Sequence, residues 1–181
     1  MYVAQAIDQT LVERAADARE ARLALAGLRL TLKNIEPGQW VMPAFGGLLC
    51  FIFSNWFETS ALFTWLGAVI LCALSAALLR GRFAAADVRP ENASRWILAL
   101  PAHQFMFNSV WAGHAFFFWV PGDHLNHMIV LLVLASSLAA GAALATPCDA
   151  FKYPTLVPFR GIAVLRTAPE AEPIYPALGA A

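Results

Sequence analysis

His103, Asn108, Trp111 and His114 stand in a largely apolar stretch, beside Pro101, Gln104 and Ser109. Polar side chains inside a membrane-type run must face protein, because lipid offers them no hydrogen bonds. A helix turns ~100° per residue, so the step from His103 to His114 is close to three whole turns. Both rings are therefore expected on one face, with Trp111 near it and Asn108 off it. Three chemistries fit this set. The first is hydrogen bonding between helices that fixes a bundle. The second is a small-molecule or proton-sensing pocket that uses histidine titration near neutral pH. The third is ligation of a haem or bacteriochlorophyll-type pigment. One helix cannot set both histidines on opposite faces of one macrocycle, so this last option needs two pigments or a partner chain.

A second group, Asp123, His124 and His127, falls at a turn. Imidazole and carboxylate suit zinc or copper, which makes this a weak candidate metal site, and Glu58 on another turn would complete it if the two turns met. Such a trio also arises in turns by chance. No Walker loop, G-x-S-x-G, H-E-x-x-H or dinucleotide fingerprint occurs. The chain is therefore expected not to be an enzyme, and its formal net charge of zero gives nucleic acid nothing to bind.

The elements that must position these residues follow from composition and charge. The chain is 60% hydrophobic and 13% charged, with mean hydropathy +0.61. Soluble domains are roughly 45–50% apolar and about 25% charged. Four long apolar stretches run about Trp40–Phe57, Ala61–Leu79, Trp96–Val120 and Met128–Thr146, each near the ~20 residues that the hydrocarbon layer requires. Arg14, Arg19, Arg22, Arg29 and Lys33 precede the first stretch. Arg80, Arg82, Arg89 and Arg95 lie between the second and third, and Lys152, Arg160 and Arg166 follow the fourth. The turns at Glu58-Thr59-Ser60 and Pro121-Gly122-Asp123-His124 carry no Lys or Arg. This positive-inside pattern predicts an all-α integral membrane protein, a four-helix transmembrane bundle in a bacterial inner membrane with both termini cytoplasmic.

Residues 1–38 are expected to form a cytoplasmic amphipathic pre-helix. Thr10 and Glu13 have capping-box spacing, Ala and Leu follow, and Pro37-Gly38 ends the helix. The bundle occupies 39–147. The segment 148–166 is apolar but broken by Pro154, Pro158 and basic residues, so it is read as interfacial or re-entrant rather than as a fifth span. The tail, 167–181, is rich in Ala and Pro and is expected to be disordered. Membrane helices pack through small residues, and Ser137-x-x-x-Gly141 and Ala68-x-x-x-Cys72-x-x-x-Ala76 offer such faces. Cys50 and Cys72 read as small buried hydrophobes, and Cys148 leaves the count odd.

Residues 14–166 also resemble the N-terminal membrane sensor region of bacterial histidine kinases and GGDEF/EAL signalling proteins. The stretches that carry the likeness are WAGHAFFFW, PGDHLNH, IVLLVLASSLAAGAALA and FKYPTLVPF. The chain lacks that family's usual clean fifth span and output domain. The resemblance implies a non-catalytic sensory module that passes a signal to a cytoplasmic partner, with His103, Asn108, Trp111 and His114 as its pocket. The alternative is an accessory subunit of a larger respiratory or photosynthetic membrane complex. In either role the partners are the lipid bilayer and other membrane helices, from further copies or from other subunits.

Overall fold

The structure, a computed structural model, describes residues 2–145 and 149–167. The chain is all-helical, with no strand among the described residues. Helix α1 spans Tyr2–Ile35, α2 Gly38–Phe53, α3 Thr59–Ala85, α4 Ser94–Ala112, α5 His114–Phe117, α6 His124–Ala145 and α7 Asp149–Thr167, and a short 3₁₀ turn at Pro90–Asn92 precedes α4. Two helices, Thr59–Ala85 and the α6 segment His124–Ala143, are long and apolar enough to cross a membrane.

Local sequence explains the boundaries. Helix α1 starts before Thr10, because nothing between Tyr2 and Thr10 breaks a helix, and it stops at the Glu36-Pro37 turn. Helix α2 has 16 residues, about 24 Å of rise, which is short for a span. Helix α3 continues past Leu79 through Arg80 and Arg82 to Ala85. The turn before α6 is built by Pro121-Gly122, where Gly122 takes φ +78 and Asp123 N–H closes on Val120 O at 3.2 Å. That is type II geometry, with proline first and a left-handed glycine second.

The third apolar stretch departs from expectation. It is expected as one helix from Trp96 to Val120, but α4 ends at Ala112 and the chain bends at Gly113 into the single turn of α5. A Cβ at Gly113 would lie 3.1 Å from Val110 O and 3.3 Å from Ser109 O, a tight fit at the bend. His103 and His114 consequently do not share one continuous helix face.

Two apolar clusters organise the packing. Phe53, Trp65, Val69, Trp111, Phe118 and Val130 centre the larger one. Leu25, Leu28, Phe83, Trp96, Leu100 and Phe151 form the smaller one, where α1 meets the loop before α4. On α3, Leu62, Trp65, Val69, Cys72 and Ala73 are buried at helical spacing. Cys50 and Cys72 are both buried and free. The outward surface is apolar too, with Phe51 at 77%, Leu71 at 68%, Leu98 at 74% and Met128 at 70% exposure. Water does not favour a coat of that kind and lipid does.

Helix α7 is the second departure. Residues 149–167 form one continuous helix, with Pro154 and Pro158 inside it, packed between α4 and α6. Phe151 belongs to the smaller cluster, and Phe159 and Ile162 to the larger. Helix α7 therefore runs antiparallel to α6 and ends toward the Gly122 turn, at the opposite end of the bundle from the α1–Trp96 junction. At Pro158 the lost helix bond is replaced from a neighbouring helix, by Asn108 Nδ2 donating to Pro154 O. The Thr10–Glu13 side chains, Cys148 and the tail beyond Thr167 lie outside the residues whose side chains or backbone are described.

Gly141 faces Thr155 across the α6–α7 hairpin, and a Cβ at Gly141 would sit 2.6 Å from Thr155 Cγ2. Threonine is stiff at χ1, so the methyl cannot swing away cheaply. Gly141→Ala is expected to cost about 1–3 kcal/mol by overpacking. Thr155→Ser removes the clashing methyl and should recover much of that loss in the double variant. Thermal melts in detergent measure this coupling, and strictly additive effects would contradict the close approach.

Candidate functional site

Helices α2, α3, α4, α6 and α7 and the end of α1 enclose a cleft of about 420 Å³. That lies within the roughly 300–1,000 Å³ of small-molecule sites. Val41, Met42, Phe45, Phe107 and Phe159 give it apolar walls, and Gln39, Arg80, Gln104, Asn108, Ser137 and Thr155 add polar groups.

Proline placement explains why Asn108 is there. In α7 the carbonyl of Pro154 would normally accept from the N–H four residues on, but that residue is Pro158 and has none. Asn108 Nδ2 donates to Pro154 O at 3.3 Å, while Gln104 Nε2 donates to Asn108 Oδ1 at 3.1 Å. The end of α4 poses the same problem, since its last carbonyls lose their in-helix partners. Trp65 Nε1 donates to Val110 O at 2.9 Å, and His114 Nδ1 donates to Trp111 O at 2.6 Å. A carbonyl only accepts, so His114 carries its proton on Nδ1. Its Nε2 is buried with no partner in hydrogen-bond geometry, although the Val130 backbone makes a looser polar approach to the ring. Trp111 Nε1 donates to Ser137 Oγ at 2.9 Å, tying α4 to α6.

His103 lies elsewhere. Ser75 Oγ donates to Cys72 O at 3.0 Å and meets His103 Nε2 at 2.7 Å. The hydroxyl has one proton, which the carbonyl takes, so the histidine is the donor. Of the four expected pocket residues, only Asn108 lines the cleft. Trp111 and His114 belong to the packed core behind it, and His103 pins α4 to α3. Fully buried between Trp65 and Trp111, with ring centroids 6.0 Å from each, His114 has no open face for a macrocycle.

At the other end the turns at Glu58 and Gly122 do meet, because Trp56 Nε1 donates to Asp123 Oδ2 at 2.6 Å. Asp123 Oδ1 accepts the Asn126 N–H at 2.9 Å and so caps α6. Asn126 Oδ1 accepts the Val120 N–H at 2.9 Å, and His127 Nε2 donates to Val120 O at 2.7 Å while its ring stacks 3.9 Å from Trp119. His124 and His127 rings stand 6.4 Å apart and nearly perpendicular. No group of three ligating side chains is gathered for a metal among the described residues. This trio closes a turn and joins two hairpins.

Sequence reasoning missed Gln39 and Arg80. Gln39 is 4% exposed, and its Nε2 donates to Ala73 O. That bond fixes the amide, so Oε1 is the other atom, and it is buried with no partner. Arg80 was expected in the loop after α3, but it stays on the helix and lines the cleft. The available signal was Gln39 itself, a lone amide between Pro37-Gly38 and an apolar helix.

Two outcomes are expected. Asn108→Leu leaves the Pro154 carbonyl without a donor and should cost about 1–3 kcal/mol. Pro158→Ala restores an in-helix donor and should make the Asn108→Leu penalty smaller; an equal penalty in both backgrounds would refute the assignment. The Asn126 backbone N–H, and after it the Trp56 indole, hold the Asp123 carboxyl below its ordinary value. A depressed carboxyl stabilises the fold above its unfolded value, about 3.9, and that contribution fades as pH falls through the lower folded value. The melting temperature of the parent should therefore drop more steeply below about pH 4 than that of Asp123→Asn.

No protein-family model, curated protein or solved structure matches the chain.

Proposed function

We propose that this protein is a non-catalytic sensory module of a bacterial inner membrane, crossing it several times with its N-terminus cytoplasmic. It binds a small molecule in the cleft and passes occupancy on to a cytoplasmic partner. The observation that carries this reading is the cleft's position. Its lining joins the bundle helices to Ile35 at the end of α1 and to the Pro37-Gly38 turn. Helix α1 is also docked on the basic loop, with Leu25 and Leu28 buried and Arg29 Nη2 donating to Val88 O at 3.0 Å. An occupant would touch the helix that leads out of the membrane. The apolar coat and the basic-free turns at Glu58 and Gly122 support the membrane placement. With the N-terminus inside, the path of α7 carries residue 167 to the outer end.

One observation favours a second reading, an accessory subunit of a larger membrane complex. Helix α7 exposes Arg160 on the face that also carries Val157 and Val164. A guanidinium toward lipid at the bilayer centre costs about 2.5–3.5 kcal/mol on insertion scales, and a partner helix would shelter it.

Purification in mild detergent separates the two. The sensory reading expects a colourless chain, alone or as a homo-oligomer. A coloured complex with a fixed set of other chains would overturn it.

A further inference from the structure

The head of the cleft brings together three features, two of which have no hydrogen-bond partner among the described residues. Gln39 Oε1 is a buried acceptor with no donor, on a side chain whose other end is fixed to Ala73 O. Arg80 lines the same cleft, and among the described residues no hydrogen bond or ion pair within 4 Å engages its guanidinium. Glu36 and His103 are near enough to feel its charge, yet neither pairs with it. The third feature is the start of α2. Its N-cap is Pro37, which has no capping side chain; Gln39 N–H closes on Glu36 O at 3.3 Å, and Gly38 beside it has open space where a Cβ would be. First-turn N–H groups of a helix carry partial positive charge. Beyond this head the walls turn apolar, with Phe45, Phe107 and Phe159.

Each feature specifies part of an occupant. Arg80 and the α2 N-terminus call for an anion. The buried Gln39 oxygen calls for a hydrogen-bond donor, such as a hydroxyl, which a carboxylate at neutral pH does not carry. The aromatic walls call for a hydrocarbon tail. We propose that the cleft binds an anionic single-chain amphiphile whose head group also bears a hydroxyl, of the lysophospholipid class. Its phosphate sits at Arg80 and the start of α2, its glycerol hydroxyl donates to Gln39 Oε1, and its acyl chain lies along the aromatic walls. This assignment rests on the sensory reading of the same cleft and names its ligand class.

The test titrates the full-length chain in detergent with three probes of equal chain length, read by native mass spectrometry. These are myristoyl lysophosphatidylglycerol, myristate, which has the anion without the hydroxyl, and monomyristoylglycerol, which has hydroxyls without charge. The lysophospholipid is expected to bind at least tenfold more tightly than either. Arg80→Gln should cost it tenfold or more, and Arg80→Lys, which keeps the charge, should cost less. Gln39→Met should weaken the lysophospholipid and leave myristate unchanged. A second readout is the distance between spin labels at Arg22→Cys on α1 and Arg160→Cys on α7. If monomyristoylglycerol or myristate binds as well as the lysophospholipid and moves that distance, the ligand class is wrong and the sensory reading stands. If the lysophospholipid binds as expected and the distance stays fixed, the site stands and the sensory reading falls. If no probe binds, both fall.

Discussion

The rest of this structure depends on finding donors for backbone carbonyls that helices cannot satisfy internally. In an apolar surrounding a carbonyl without a partner costs about 1–3 kcal/mol, and water is not there to help. The chain creates several such groups. Pro158 orphans the Pro154 carbonyl, the bend at Gly113 frees Val110 and Trp111, and Val120 O, which takes the Asp123 N–H in its turn, keeps a second lone pair. Each is met by a side chain from the larger cluster or its rim, namely Asn108, Trp65, His114 and His127. These bonds also fix which helices touch. Trp65 ties α3 to the end of α4, and Asn108 ties α4 to α7. The polar residues of the third apolar stretch are there largely because the backbone around them is irregular.

Much of the helical framework was legible in the sequence, for local reasons. Apolar run length and the charge pattern located α2, α3 and α6, and Pro37-Gly38 and Pro121-Gly122 marked real turns. The first misreading came from treating His103 to His114 as one regular helix. Periodicity carries a face forward only while the helix continues, and Gly113 ends it. The second point is α7, where Pro154 and Pro158 are expected to break the segment and the helix nevertheless runs through both. Their cost is set by whether a neighbour repairs the lost bonds, and Asn108 lies 46 positions away in sequence from the carbonyl it serves.

The candidate site was less legible than the fold, because its chemistry is made by helices that meet only after folding. Asn108 could be found as a polar residue in a span. Arg80 could not, since a basic residue at the end of a span reads first as topogenic charge. Its helix has to continue to Ala85 before the guanidinium belongs to the cleft. Gln39 is informative as the exception to the carbonyl rule. Its Nε2 donates to Ala73 O, a carbonyl in the middle of α3 and not an orphan like Pro154 O; Asn108 Oδ1 receives Gln104, whereas Gln39 Oε1 has no partner among the described residues.

That difference bears on how occupancy could travel. A ligand shifts a conformational equilibrium only by as much as it prefers one state over the other. Trp111 and His114 are poor levers, because both are fixed within the core by bonds that the empty protein already makes. The α1–α2 junction is a better one. Gln39 follows the Pro37 turn directly, and its unsatisfied oxygen gains a bond only when something fills the cleft. Helix α1 reaches the same junction from the side where Arg29 holds the Val88 carbonyl. A donor bound at Gln39 therefore favours whichever arrangement of the turn brings that oxygen to it. On the sensory reading, helix α1, docked through Leu25 and Leu28, is the element that would follow.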